Sequence, residues 1–170
     1  VYTARDFQAL ALAVRAGEYD LALLPAHLGR IAIADWRWLP VARTISTTPV
    51  LVVVRGAGPV HSPADLRGRK VGTLDLLSLT SAVCARWMAQ QQMPASMIVP
   101  LPSINSALIA LERDEIGAVV ATASQMQSLP AVTPTGQRTL ARVDDVPGPV
   151  YVARSGTPPD RVLRLRDALA

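Results

Sequence analysis

Several residue types are nearly missing from this 170-residue chain. It has one cysteine, one phenylalanine and two histidines, and aromatic residues make up 4%. A single cysteine, Cys84, excludes an internal disulfide and says nothing of the redox compartment. His27 and His61 form no Cys/His cluster, so no metal site of ordinary spacing is expected, and no cofactor is implied. No apolar run approaches the roughly 18 residues of a membrane span. The most apolar stretch, "PVLVVVRG", has the length of a strand. Basic runs interleaved with aromatics are absent as well, so no nucleic-acid contact is expected through this region. The chain opens at Val1 with neither an initiator Met nor a signal peptide, which reads as a processed or engineered fragment.

What is present is apolar material and arginine. Half of the residues are hydrophobic, enough for a substantial core in one domain or two small lobes. The net charge is +4, nearly all from arginine. That balance suits anionic ligands. Cys84 shares a helical stripe with Trp87 and Met88 and reads as a buried small hydrophobe.

Strand and helix patterns alternate along the chain. "VYTA" reads as a strand. In "RDFQALALAVRAGEY", Phe7, Leu10, Ala11 and Val14 share one helical face and Gly17 stops the helix. "DLALLP" is a short buried strand, "AHLGRIAIA" a short helix or turn, and "WLPVARTIST" and "TPVLVVVRG" are strands. After the break at Gly56–Pro59, "SPADLRG" is a capped helical turn, with Ser62 as N-cap, Pro63 first in the turn, Asp65 third and Gly68 as stop. "KVGTL", "SMIVPLP", "IGAVVAT" and "PVYVARSG" read as strands. "LTSAVCARWMAQQQM", "SINSALIALERDE", "ASQMQSLP" and "PPDRVLRLRDALA" read as helices, the last with Val162, Leu165 and Leu169 in register. The alternation predicts mainly parallel sheets covered on both faces. The likeness of Pro49–Val52 to Pro149–Val152 predicts two crossing strands, near 49–55 and 149–154. Residues 1–50 and 149–170 would then form one lobe, and 55–147 the other.

In open parallel sheets ligands bind at the carboxyl ends of strands. Four loops qualify: Pro25-Ala26-His27, Asp75–Ser81, Pro102-Ser103 and Thr122-Ala123-Ser124. None holds paired catalytic carboxylates or a glycine-rich phosphate loop. The strongest local signal is Ser78-Leu79-Thr80-Ser81 at a helix start. There the first N–H groups lack intrahelical partners and the dipole favours negative charge. Two uses remain open: an oxyanion site, or simple capping of the helix by Ser78 or Thr80. His27 is a solvent-exposed loop residue, a ligand contact or a core hydrogen bonder. Trp36 and Trp38 alternate, which would turn one to the core and the other to the cleft. Asp20 either caps or braces the entry to "LALL" or serves as a catalytic carboxylate.

Four segments, "GEYDLALLPAHL", "PVLVVVRG", "SPADLRGRKVGTLDLLSLTSA" and "NSALIALERDEIGAVVA", occur in an order and spacing that resemble type 2 periplasmic solute-binding proteins. Among these the chain is most similar to the phosphate/phosphonate-binding branch of ABC transporter receptors. "ADLRGRKVG" is the most specific match and "DLLSLTSA" a looser one. The resemblance implies an α/β fold of two lobes joined by two crossing strands, with a small anion bound in the cleft between them. It places Ser78, Thr80 and Ser81 as ligand hydroxyls, adds Thr47 or Thr48 before the first crossing, and keeps His27 and Ser103 as further candidates. The fold would be N-terminally truncated, because the family's first strand and helix precede "VYTA". The place of the absent strand would be closed by "VYTA" and "DLALL" or filled by a second chain in a homo-oligomer. Ile104 stands where the family often has His, and Gly117 where it has Asp. That exchange removes the carboxylate an aminoalkylphosphonate would want.

The favoured reading is a non-enzymatic, periplasmic or extracytoplasmic domain for a small anionic solute. Its partner would be an ABC permease or a fused signalling module. The alternatives are the effector-binding domain of a LysR-type regulator and an enzyme on the same fold.

Overall fold

A computed structural model describes residues 3–128 and 136–169. The chain divides into two compact units, Val1–Thr47 with Pro147–Ala170, and Thr48–Val146.

In the first unit, α1 (Phe7–Ala16) opens at Asp6, whose carboxylate accepts the Ala9 N–H at 2.7 Å. The helix closes at Gly17 (φ 72), a left-handed position that glycine occupies without a Cβ penalty. Strand β1 (Leu21–Leu24), helix α2 (Ala26–Asp35) and strand β2 (Leu39–Arg43) follow. The returning strand β8 (Val150–Ala153) slots between β1 and β2, antiparallel to both. Helix α6 (Pro159–Leu169) lies along β2, and Arg166 Nε donates to the Val41 carbonyl at 3.2 Å. The core is Val14, Ala22, Leu24, Leu28, Ala32, Trp38 and Val152. Trp36 packs on this same cluster beside Trp38, so the alternation does not send the two indoles to different surroundings.

The second unit carries a five-stranded sheet in the order β5-β4-β6-β3-β7. Its strands are β3 (Val50–Arg55), β4 (Val71–Thr73), β5 (Ile98–Pro100), β6 (Ala118–Thr122) and β7 (Gln137–Val143). The helices are α3 (Leu79–Gln90), α4 (Ile104–Glu112) and α5 (Ala123–Gln127). Successive residues of β6 point to opposite faces. Ala118 and Val120 join Cys84, Trp87 and Met88 of α3, whereas Val119 and Ala121 join Ala107, Leu108 and Leu111 of α4. Before β4 the "SPADLRG" turn is a 3-10 helix, Pro63–Leu66, with a complete capping box between Ser62 and Asp65.

Two sequence expectations need correction, on strand direction and on "VYTA". The sheets are not mainly parallel: among the described residues only β4 with β5 and β4 with β6 run parallel, and the other pairings are antiparallel. The reason is that β8 re-enters the first sheet reversed, and β3 enters the second sheet reversed against β6. Val1 and Tyr2 of "VYTA" lie outside the described residues, Thr3 and Ala4 are not in a strand, and β1 pairs on one side only among the described residues. Val50–Arg55 and Val150–Ala153 each pair within one unit, and the chain passes between units just before them, at Thr47/Thr48 and Val146/Pro147. Strand β7 was not foreseen. "QRTLARV" sits at a sheet edge, half-buried, with too few apolar residues for a clear alternation.

Candidate functional site

Parallel pairing brings the carboxyl ends of β4, β5 and β6 to one edge of the second unit's sheet. A helix starts after each. Ser78 caps α3, Ser103 caps α4 and Thr122 caps α5, each side chain accepting the N–H three residues on, from Ser81, Ser106 and Gln125. One cap satisfies one donor, so the Leu79 and Thr80 N–H groups of α3 keep no intrahelical partner. The positive end of a twelve-residue helix is thereby presented at the turn.

The hydroxyls at α3 are gathered and shielded. Ser78, Thr80 and Ser81 are 5%, 3% and 4% exposed. Ser78 Oγ donates to the Asp75 carbonyl at 2.6 Å and accepts from the Ser81 N–H at 3.1 Å. With that proton committed, the 2.9 Å contact between Ser78 Oγ and Thr80 Oγ1 has Thr80 as donor. Ser81 Oγ reaches Thr73 Oγ1 at 2.7 Å and also the Asp75 carbonyl. Asp75 turns its carboxylate onto the Leu77 N–H at 2.7 Å. Ser78 therefore realises the capping use. Thr80 is the hydroxyl held only by another hydroxyl, and so the one most readily redirected.

The other expected residues are spread out. Ser103 is exposed at the neighbouring helix start, where its Oγ lies 2.9 Å from Ser106 Oγ. Thr48 is in the second unit, its N–H on the Val146 carbonyl at 2.9 Å. Thr47, exposed and bridged to Pro147, and His27, half-buried in the first turn of α2, belong to the first unit. The sequence reading missed Thr73, which is fully buried and receives the Ser81 hydroxyl. A threonine ending a strand otherwise made of Val71 and Gly72 was the available signal.

Titratable groups are sparse at this edge. Burial pushes the Cys84 thiol up to about 12, so it is an inert core residue there. No group of three or more metal-ligating side chains occurs among the described residues. No described helix is long and apolar enough to cross a membrane.

A family model described as "ABC transporter, phosphonate, periplasmic substrate-binding protein" matches residues 1–170. No curated protein matches the sequence. Among solved structures, XAC2383 from Xanthomonas citri, bound to ATP, superposes with a TM-score of 0.80 at 18% identity, over 99% of this chain and 69% of that one. A binding-protein component of an ABC phosphonate transporter from Pseudomonas aeruginosa gives 0.73 at 14% identity, over 98% and 61%. The aliphatic sulphonate binding protein SsuA from Escherichia coli gives 0.65 at 20% identity, over 96% and 55%. The chain thus spans between about half and two thirds of the length of these neighbours. At such identities the likeness establishes the fold, that of type 2 periplasmic binding proteins.

Proposed function

The chain belongs to the phosphonate-binding family of periplasmic substrate-binding proteins of ABC transporters, and from that premise we propose that it binds a small organic oxyanion at the start of α3. The Leu79 and Thr80 N–H groups and the Thr80 hydroxyl are the donors in this reading. Ser78, Ser81 and Thr73 hold the turn in place. The observation that carries it is the gathering of three buried hydroxyls around a helix start whose first donors are unspent. The flanking Leu76 and Leu77 are 61% and 39% exposed, which suits an anion bearing a short alkyl group better than inorganic phosphate. The reading includes no chemistry on the ligand: the carboxylate in this turn, Asp75, is held on the Leu77 N–H. Delivery to an ABC permease outside the cytoplasm is the role such a domain would serve.

The test is calorimetric titration of the full chain with methylphosphonate, methanesulfonate and phosphate. Wild type should bind at least one of the two organic anions more tightly than phosphate. Thr80→Ala should weaken that binding roughly tenfold or more, as expected for a lost hydrogen bond to a charged group. Absence of binding by wild type, or binding indifferent to Thr80→Ala, overturns the reading.

A further inference from the structure

The first unit has a recess that the α3 site does not use. Its walls come from the end of α1, the entry to β1, the Trp36–Trp38 turn and the start of α6, and it is an open recess of about 420 Å³. That volume lies within the range of small-molecule sites. The register of the sheet fixes its place. Leu21 and Leu39 both lie opposite Ala153, and the recess residues Asp20, Trp38 and Arg154 directly adjoin these three. His27 and Thr47 follow the other end of the same sheet, beyond Leu24, Arg43 and Val150.

Three guanidinium groups, from Arg15, Arg154 and Arg161, line this recess against one carboxylate, Asp20. Arg154 is paired, with its Nη2 on Asp20 Oδ1 at 2.9 Å and its N–H on the Asp20 carbonyl at 2.9 Å. Arg15 and Arg161 have no ion pair among the described residues. The carboxyl ends of α1 and α2 bring partial negative charge of about one half each, which two surplus positive charges outweigh. Arg37, between the two indoles, sits in the left-handed region at φ 60, a conformation costly for a residue with a Cβ. This turn sets both Trp36 and Trp38 on the recess wall.

We propose that this recess is a second ligand site, for an oligophosphate anion, held by Arg15 and Arg161 around the Arg154–Asp20 pair. The guanidinium fork matches phosphate oxygens in a bidentate manner, and arginines arriving from three separate segments suit an anion with several phosphoryl groups rather than one. The site goes beyond the α3 reading and does not depend on it.

Inorganic tripolyphosphate is the probe, added to the full chain with tryptophan fluorescence as the readout. Trp36 and Trp38 line the recess, whereas Trp87 is buried in the core of the other unit. The expected result is a saturable change with one equivalent bound. Arg15→Ala/Arg161→Ala should weaken it at least roughly tenfold, and Arg15→Lys/Arg161→Lys should weaken it less. Thr80→Ala should leave it unchanged, so the outcome stands apart from that of the α3 site. Arg30→Ala/Arg86→Ala removes the same net charge from exposed positions outside the recess and should have little effect. Equal loss in both alanine pairs would reduce the effect to general charge attraction and overturn the site. No saturable change in wild type would overturn it as well.

Discussion

The hydroxyls of Ser81 and Thr73 meet at 2.7 Å, joining the first turn of α3 to the last residue of β4. Both side chains are buried, so neither can exchange this partner for water without opening the turn. Thr73→Val keeps the shape of the side chain and removes the oxygen. It should cost about 1 kcal/mol in urea unfolding, as should Ser81→Ala. The double variant should cost less than the sum by about 0.5–1 kcal/mol, because the two share one contact. Strict additivity would mean that the hydroxyls act separately.

Ser78 and Thr80 should separate by what they change. Ser78→Ala removes the cap of α3 and should lower stability by about 1 kcal/mol. Thr80→Ala gives up only the bond to Ser78 Oγ and should lower anion affinity more than stability. Parallel denaturation and titration of the two variants would read this out. The reverse ranking would make Thr80 structural and Ser78 the ligand contact.

Much of this arrangement was legible beforehand. Gly17 closing α1, the Ser62–Asp65 capped turn and the Ser78 cap are local chemistry, written within four or five residues of chain. Which hydroxyl would be spent on capping was not legible, because that depends on the Asp75 carbonyl, which receives the Ser78 hydroxyl. Strand direction was hidden for a similar reason. The placement of β8 between β1 and β2 joins residues more than a hundred positions apart, and "VYVA" reads the same in either direction. The recess of Arg15, Arg154 and Arg161 is a non-local assembly with no motif.

Gly29 faces Val150 across the contact between α2 and β8. A Cβ at position 29 would overlap the Val150 Cγ2 methyl. Gly29→Ala should therefore destabilise the first unit by about 1–3 kcal/mol, despite the better helix propensity of alanine. Adding Val150→Ala should recover part of that loss. Thermal unfolding of the single and double variants checks it. A neutral Gly29→Ala would mean that α2 shifts freely on the sheet.

Asp65 accepts the His61 and Ser62 N–H groups, and these bonds lower its carboxyl pKa from the ordinary 3.8. A carboxylate whose pKa falls on folding stabilises the fold above the unfolded value. That contribution disappears as the pH drops through the folded value. Asp65→Asn should therefore be less stable than wild type at pH 7, with the gap narrowing below about pH 4. Chemical denaturation at pH 7 and pH 3 tests the sign, and a gap that widens on acidification would contradict it.

The sealed position of Cys84 supplies a chemical clock. It is the one thiol in the sequence, and it lies at 0% exposure on the core-facing side of α3. An alkylating reagent can reach it only through molecules whose second unit has opened, and only a thiolate released from that core reacts quickly. The labelling rate at fixed pH therefore counts openings of Thr48–Val146 alone. The same native protein, without any introduced probe, would report how far a ligand at α3 tightens that unit.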